Sequence, residues 1–493
     1  MNRFSFHLLS GAVLAFVFSL FTAPVLAQET FAYPQDFPPR VLQMVGDAAN
    51  SVAPTGSNTG KSASLSGNSV TLNSGTIGNS MSLYSGGSIY GAINLKDLDV
   101  VTSNRVTING GTVVGAVYGG QGLAVSGNSV VVNNGFAKSW VIGGLSQNTS
   151  GEAAATNNSV VINGGATDGV FGGYADSYVS DDLSSNGNAS ASNNSVVISG
   201  GEVDEAVYGG YVVGFGKICT AANNMVSVSG APTFGSNANL YGGIATTSVG
   251  NILNLHSSGV VVRGVSNFQN INFYLPATMV SPSAVLPPTM ETPAAVQDVL
   301  IATDKADISG VTVNVALEGT GPTLWTGLRL TLIRAANLVG DFSPTTGFIG
   351  GYAYTVQKEG NSLVLVVGAK QPGPTRDYTG QWFNASEDNW GLSIFQNFPG
   401  KPRTIFVPWY TYDSNGKAAW YVFQGDSWSA DDVVSADVYR YTGPNWGTTP
   451  YDNSKITNTK VGTAKLTFTS ATTVHFEYTV DGASRSVDLQ KLQ

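Results

Sequence analysis

A short phrase recurs along the first half of the chain and limits what this chain can fold into. It begins Asn-x-Val, runs through an apolar and a polar residue to Gly-Gly, and ends in an aromatic residue followed by Gly-Gly. Three clear copies are Asn104–Gly120, Asn158–Tyr174 and Asn194–Tyr211, and weaker copies start at Asn68, Asn79, Asn128, Asn224 and Asn251. From Asn104 to Asn224 the starts are 24, 30, 36 and 30 residues apart. The phrase keeps its length while the intervening segments vary, which indicates stacked repeats with variable loops on one face.

Each copy has the pattern of strand, corner, strand, corner. Val160 and Ile162 alternate with Ser159, Val161 and Asn163, which is the period of a strand with one buried face. The following Gly-Gly pair can adopt positive φ without a Cβ clash and so turns the chain. A single coil cannot bury its inner face alone, so neighbouring coils must stack. The pattern therefore predicts an all-β right-handed parallel β-helix, favoured over the alternative of a β-sandwich with similarly spaced strands.

The order of segments predicts seven regions. They are residues 1–27 as a signal peptide, 28–60 as an entry segment that could hold a cap, 61–275 as the β-helix repeat tract, 276–298 as a proline-rich interruption, 299–368 as the last coils and cap of the β-helix, 369–376 as a linker and 377–493 as an aromatic-rich antiparallel domain.

The beginning of the chain predicts export. Arg3 gives a positive start, residues 8–21 are an apolar core, and Ala27 ends a small-residue cleavage pattern before Gln28. Nothing else resembles a membrane-spanning helix, so no transmembrane segment is expected after cleavage. The single cysteine, Cys219, excludes an internal disulfide framework. A net charge of −9 without a basic cluster argues against binding to nucleic acid or to anionic lipid.

The last region differs in composition. Six of the eight tryptophans lie in residues 377–493. Val474, Phe476 and Tyr478 alternate with His475 and Glu477, so one face of that strand is expected to be buried. About eight antiparallel strands predict a small β-barrel or sandwich.

Residues that could carry chemistry are few. The histidines after the leader are His256 and His475, which excludes a metal site built on imidazole or thiolate. Asp176, Asp181 and Asp182 share one long loop and form a Ca²⁺ candidate through oxygen ligands, against the favoured interpretation of solvated acids. No catalytic residue and no cofactor is predicted.

Three tryptophans of the last region are candidates for ligand binding. Trp390, Trp428 and Trp446 lie near Asn, Asp, Gly and Ser in predicted loops. Most aromatic rings must fill the small core, but exposed rings could form a platform for sugar rings. These three are therefore the predicted ligand-binding residues, if they are exposed.

Two resemblances add to these predictions. The phrases NNSVVINGG, NNSVVISGG and VYGGY resemble the passenger regions of bacterial autotransporters, and VSNFQNINFYLP with LRLTLIRAANLVGD is similar to the capped end of such passengers. The likeness covers roughly residues 60–368, and the translocator barrel that the family pattern requires is missing. WYTYDSNGKAAWYV and TGQWFNASEDNWGLSI resemble an aromatic-rich β-module of exported bacterial proteins.

These resemblances imply an exported, non-enzymatic protein of a Gram-negative bacterium, adhesin-like, on the cell surface or outside the cell, with the periplasm as an alternative. Its implied partners are a glycan, a host surface or a cell-surface receptor, and a separate export or anchoring protein. Two other functions stay open, a polysaccharide-degrading enzyme on a β-helix scaffold and a carbohydrate-binding module on a stalk. An enzyme would need a groove with clustered acids.

Overall fold

The computed structural model describes most of the chain after residue 65. The described residues are 41–45, 66–78, 87–94, 100–148, 152–177, 187–214, 218–277, 298–319, 321–396, 398, 401, 403–445, 447 and 450–492. The predicted signal peptide, residues 1–27, lies outside them, as do nearly all of the entry segment and most of the proline-rich interruption. The chain divides into two compact units, the first formed by residues up to 324 with 328–346 and 355–366, the second by 325–327, 347–354 and 367–493.

Regular structure in the described residues is almost entirely β-strand. Up to residue 370 the strands are β1 Val41–Val45, β2 Ser69–Ser74, β3 Thr76–Ile77, β4 Ile89–Tyr90, β5 Ile93–Asn94, β6 Val100–Thr102, β7 Arg105–Ile108, β8 Thr112–Val113, β9 Val117–Tyr118, β10 Gln121–Gly122, β11 Ala124–Ser126, β12 Ser129–Val132, β13 Phe136–Gln147, β14 Ala153–Thr156, β15 Ser159–Ile162, β16 Ala166–Asp176, β17 Ala189–Ser192, β18 Ser195–Ile198, β19 Glu202–Val203, β20 Val207–Val213, β21 Cys219–Ala222, β22 Met225–Val228, β23 Thr233–Phe234, β24 Asn239–Ile244, β25 Thr247–Val249, β26 Ile252–Leu255, β27 Val260–Val262, β28 Gly264–Ser266, β29 Asn270–Leu275, β30 Leu300–Asp307, β31 Thr312–Leu317, β32 Arg329–Val339, β33 Thr345–Ile349, β34 Tyr352–Glu359 and β35 Ser362–Lys370. No helix in the described ranges is long and apolar enough to cross a membrane.

Successive copies of the repeat pair with one another in parallel sheets. Sheet A, as far as it is described, runs β1-β2-β7-β12-β15-β18-β22-β26-β29-β31. Its register places Val160 beside Val196 and Val196 beside Val226, so like positions of consecutive copies are neighbours. Sheet C runs β25-β21-β17-β14-β11-β6, and the central strands of sheet B, β13, β16, β20 and β24, are likewise parallel. The predicted all-β class with parallel pairing is confirmed, and an antiparallel sandwich is excluded for this tract.

The apolar positions of the repeat phrase form the core of the first unit. Val160, Ile162, Val196 and Ile198 are each 0 % exposed, as the strand alternation predicts. The core face of sheet C is made largely of alanines, including Ala155, Ala191 and Ala221. Small side chains there allow sheet C to lie close to the other two sheets.

Two kinds of corner turn the chain between sheets. The second glycine of the Gly-Gly pair has positive φ, 78° at Gly165, where an added Cβ would come 2.2 Å from the carbonyl oxygen of Gly135. The residue before the first Asn of each phrase also lies in the left-handed region, at Ser103, Asn157, Asn193, Asn223 and at glycines in the equivalent positions 67, 127 and 250. Asn and Gly tolerate this conformation best, so the turns restrict which residues the repeat accepts there.

The first Asn of the phrases that start at positions 68, 104, 128, 158, 194, 224 and 251 forms a ladder of amides, named here the Asn ladder, while Asn79 lies outside the described residues. In each rung from Asn68 to Asn224, the backbone N–H and the side-chain Nδ2 both donate to Oδ1 of the next Asn, at 2.8–3.1 Å. At the end, Asn251 N donates to Gln269 Oε1 at 2.8 Å. The rungs 104, 128, 158, 194, 224 and 251 are at most 1 % exposed. Because each amide meets its like in the next copy, the ladder fixes the register between copies.

The second unit contains a closed antiparallel barrel. Its strands are β36 Gly380–Asn384, β37 Glu387–Ile394, β38 Ile405–Tyr412, β39 Ala418–Gly425, β40 Ser427–Ala430, β41 Val433–Thr442, β42 Thr457–Phe468, β43 Thr473–Val480 and β44 Ala483–Lys491, with a 3₁₀ turn at Asn453–Lys455. Eight of these described strands form the ring, which closes where β39 pairs with β41, while β40 pairs with β41 outside it. Between the two predicted forms, barrel or sandwich, the closed barrel is confirmed.

Candidate functional site

Aromatic residues at or equivalent to the position before the second Gly-Gly stack on sheet B in two groups, Tyr90 with Tyr118 and Phe171 with Tyr208 and Tyr241, which Ile142 separates; together they are named here the tyrosine ladder. Tyr90 stacks on Tyr118 with centroids 4.7 Å apart, Phe171 on Tyr208 at 4.7 Å, and Tyr208 on Tyr241 at 5.0 Å. The planes in these pairs differ by 3–10°. Because ring faces cover one another, the middle of the ladder stabilises the sheet and offers no flat platform.

The tyrosine ladder predicts a late alkaline transition. Burial is the main cause that raises the pKa of the ladder residues Tyr118 and Tyr208, and of Tyr174 beside Phe171, to about 12 each. The ordinary value is 10.0, so the folded state keeps protons that the unfolded state releases. This stabilising contribution is complete below pH 10 and is lost as the pH rises through 12. We expect ultraviolet titration to show tyrosines that ionise near pH 12, and Tyr208→Phe to reduce the loss of thermal stability above pH 10. Ionisation of every tyrosine near pH 10 in still-folded protein would contradict this.

The barrel carries large aromatic rings on its outer surface. In β38, Ile405, Val407 and Trp409 point into the core, whereas Tyr410 is 52 % and Tyr412 50 % exposed. On the neighbouring strand β39, Trp420 is 51 % exposed. Such large rings are normally buried, so a cluster of exposed rings on one surface indicates a candidate binding surface.

Two of these rings, Tyr410 and Trp420, form a row across the strands with the partly exposed Tyr441, named here the aromatic row. Tyr410 and Trp420 are directly paired across β38 and β39. The Trp420 and Tyr441 rings have centroids 6.2 Å apart and planes within 12° of each other. Gly391 pairs with Tyr410 at one end and Asn458 with Tyr441 at the other. Adjacent strands are about 4.8 Å apart, so the three rings span roughly 10 Å.

The surroundings of the aromatic row are polar but electrically balanced. Thr442 and Thr457 share a hydroxyl contact of 2.5 Å beside Asn458. Lys460 pairs with Asp437 at 2.7 Å, and Arg440 pairs with Asp481. Flat rings edged by hydroxyl and amide groups suit a ligand that has both an apolar face and hydroxyls.

The tryptophans predicted from sequence lie elsewhere. Trp390 is half-buried against the barrel core, and its Nε1 donates to Glu387 at 3.1 Å. Trp428 is 5 % exposed, and its Nε1 donates to the carbonyl of Arg403 at 2.7 Å. Its ring is a core ring, which corrects the expectation of an exposed face at this position. Trp446 lies outside the described residues.

The calcium candidate is described only in part. Asp176 ends β16 beside Val213, whereas Asp181 and Asp182 lie outside the described residues. Among the residues that the structure does describe, no group of three or more His, Cys, Asp or Glu is placed to hold a metal ion.

One constellation on the barrel has the order of a catalytic relay. Ser486 Oγ lies 2.8 Å from His475 Nε2, and His475 Nδ1 lies 2.6 Å from Asp488 Oδ1. Asp488 is 83 % exposed, so water screens its charge. The flanking amides of β43 and β44 are engaged in the antiparallel ladder and do not point at a developing oxyanion. The geometry is that of a hydrogen-bonded surface cluster.

The chain matches no protein-family model, no curated protein and no solved structure.

Proposed function

We propose that this chain is an exported, non-enzymatic protein of the adhesin type, located on the cell surface or outside the cell, whose barrel binds carbohydrate. The observation that supports the proposal is the aromatic row, with Tyr410 and Trp420 half-exposed and directly paired. The leader-like residues 1–27 support export. A separate protein would supply export or anchoring.

The chemistry of the aromatic row favours a glycan. Sugar rings have apolar C–H faces that pack on aromatic rings, while their hydroxyls bind amides and phenols such as Asn458 and Tyr441. Because Lys460, which lies on the same face as Asn458, is paired with Asp437, it does not leave an unpaired positive charge beside the row that would select an anionic partner. We therefore expect neutral glycans to bind, with little dependence on salt.

The first unit is proposed to be a right-handed parallel β-helix that serves as a scaffold. The support is that consecutive copies contribute strands to the same parallel sheets, in the same order, with like residues paired. Parallel crossover connections are right-handed in nearly all proteins, which favours this hand. A scaffold of stacked repeats gains its stability between neighbours and tolerates long loops.

A glycan array tests the proposal. The mature chain, residues 28–493, is expected to bind neutral glycans, and Trp420→Ala is expected to weaken binding about fivefold, since an aromatic contact contributes roughly 1 kcal/mol. Tyr451→Ala is the matched control, because Tyr451 is a 63 % exposed aromatic residue of the same unit outside the row. Absence of glycan binding, or equal binding by the Trp420 variant, would refute the proposal.

One observation favours the alternative of a polysaccharide-degrading enzyme. Burial, and secondarily the charge of Asp204, raises the pKa of Asp168, as a general acid requires. In that case the chain should release reducing ends from a polysaccharide, and Asp168→Asn should abolish the release. Turnover that survives in Trp420→Ala and stops in Asp168→Asn would replace the adhesin proposal by this one.

A further inference from the structure

Among the described residues, the tyrosine ladder ends at Tyr241, whose side chain lines a cavity. Tyr208 covers one face of the Tyr241 ring at 5.0 Å. At the next rung, where the repeat would place another aromatic residue, Tyr241 is paired with Ser266. A serine side chain is too small to cover a phenol ring, so the stacking that occupies the earlier rings stops here.

The cavity beside Tyr241 has the size of one small ring. Its volume is about 330 Å³, at the lower end of ligand pockets. Besides Tyr241 and Ser266, it is lined by Asn239, Arg263, Gly264 and Asp304. A Cβ on Gly264 would come 2.7 Å from Asn239 Oδ1, so the glycine makes room for this amide at the cavity.

The polar groups of the cavity are balanced in charge. Arg263 Nε lies 3.4 Å from Asp304 Oδ2, a long contact between two half-exposed side chains. Lys305 also lines the cavity, and its Nζ lies 3.0 Å from a carboxylate oxygen of Asp307, which is not among the lining residues. Each of the two lining cations is therefore paired with a carboxylate, and neither is left to select an anion. An Arg–Asp pair can bind adjacent hydroxyls, because the carboxylate accepts from one and the guanidinium donates to the other.

We propose that this cavity binds a single neutral pyranose ring. The ring stacks on the face of Tyr241 that Tyr208 does not cover, and two of its neighbouring hydroxyls bind Asp304 and Arg263. This ligand is favoured by three features of the cavity: its ring-sized volume, the aromatic ring of Tyr241 in its lining, and the neighbouring hydrogen-bond donor and acceptor. The site lies in the first unit and is independent of the aromatic row, so either proposal can fail without the other.

The test uses the mature chain and neutral hexoses, with glucose, galactose and mannose as probes and glucuronate as the anionic comparison. Binding is followed by ligand-detected NMR and calorimetry. Ser266→Tyr would place a ring on the open rung, so we expect hexose binding to fall tenfold or more without a lower melting temperature. Ser227→Tyr is the matched control, because it makes the same change at a partly exposed position of sheet A.

Arg263→Met keeps the test decisive if Ser266→Tyr fails to fold, because the Arg263 side chain is about half-exposed and methionine keeps an apolar stem while it removes every N–H donor of the guanidinium and its contact with Asp304. This variant should also weaken hexose binding, and Trp420→Ala should not affect it. Each of the following results would overturn the proposal: no hexose binds, only glucuronate binds, or hexose binding is unchanged in folded Ser266→Tyr or in Arg263→Met. Loss of all hexose binding in Trp420→Ala would also overturn it.

Discussion

Replacing Ile198 by Asp is expected to destabilise the first unit by on the order of 4–5 kcal/mol. Ile198 is fully buried in sheet A, between Ile162 and Val228 on the neighbouring strands. The substitution removes an apolar side chain from the core and places a carboxylate where no charge partner faces it. Thermal and denaturant unfolding should show a large decrease, or the variant should fail to fold.

Val197→Asp is the matched control for this prediction. Val197 is the preceding residue on the same strand and lies on the opposite, partly exposed face. A carboxylate there remains in contact with water, so we expect a change of less than about 1 kcal/mol. Equal melting temperatures for the two variants would show that the inward and outward assignment is wrong.

Replacing Asn158 by Ala should cost about 2–4 kcal/mol, because it breaks the Asn ladder in the middle. Asn158 Oδ1 accepts from Asn128 N at 3.0 Å, and Asn158 Nδ2 donates to Asn194 Oδ1 at 3.1 Å. Without the side chain, the Asn128 backbone N–H is buried with no acceptor. Asn128 Nδ2 keeps its second acceptor, the Val101 carbonyl at 2.9 Å, so the damage is limited.

Asn163→Ala distinguishes a buried ladder from an exposed one. Asn163 Nδ2 donates to Asn133 Oδ1 at 2.8 Å, but this second row of amides is exposed to water. Its loss should change the stability by no more than about 0.5 kcal/mol. If Asn163→Ala and Asn158→Ala unfold at the same denaturant concentration, burial of the amides is not what makes the ladder stabilising.

The local sequence pattern predicted the strands of the repeat well. It could not predict the contacts that one copy of the repeat makes with the next. The alternation of Val160 and Ile162 is a property of one strand, so it was readable without knowledge of the partner strand. The role of Asn158 depends on the register between copies. From the sequence alone, the recurring Asn marked only where each copy of the phrase begins. In the barrel, closure also depends on β36 pairing with β44, where Trp382 lies beside Lys491, and a pairing between such distant segments cannot be deduced from local pattern, so sequence left barrel and sandwich equal.

The candidate site was missed because polar neighbours were taken as a sign of exposure. Trp428 follows such neighbours, yet a hydrogen bond to the Arg403 carbonyl holds it in the core. Strand alternation would have served better. Since Val407 and Trp409 face inward in β38, alternation requires Tyr410 and Tyr412, which follow at odd spacing from Trp409, to face outward. The same reasoning places Trp420 outside in β39, where Tyr421 is buried.

The most direct measurement of carbohydrate binding by the aromatic row is fluorine NMR of the mature chain with fluorotryptophan at its eight Trp positions. Each resonance is assigned by a single Trp→Phe variant, and a neutral glycan selected on the array is then titrated. Our account predicts that the Trp420 resonance shifts in proportion to bound glycan while that of buried Trp428 stays constant. An unchanged Trp420 resonance, with a shift at Trp390 or Trp446 instead, would contradict it.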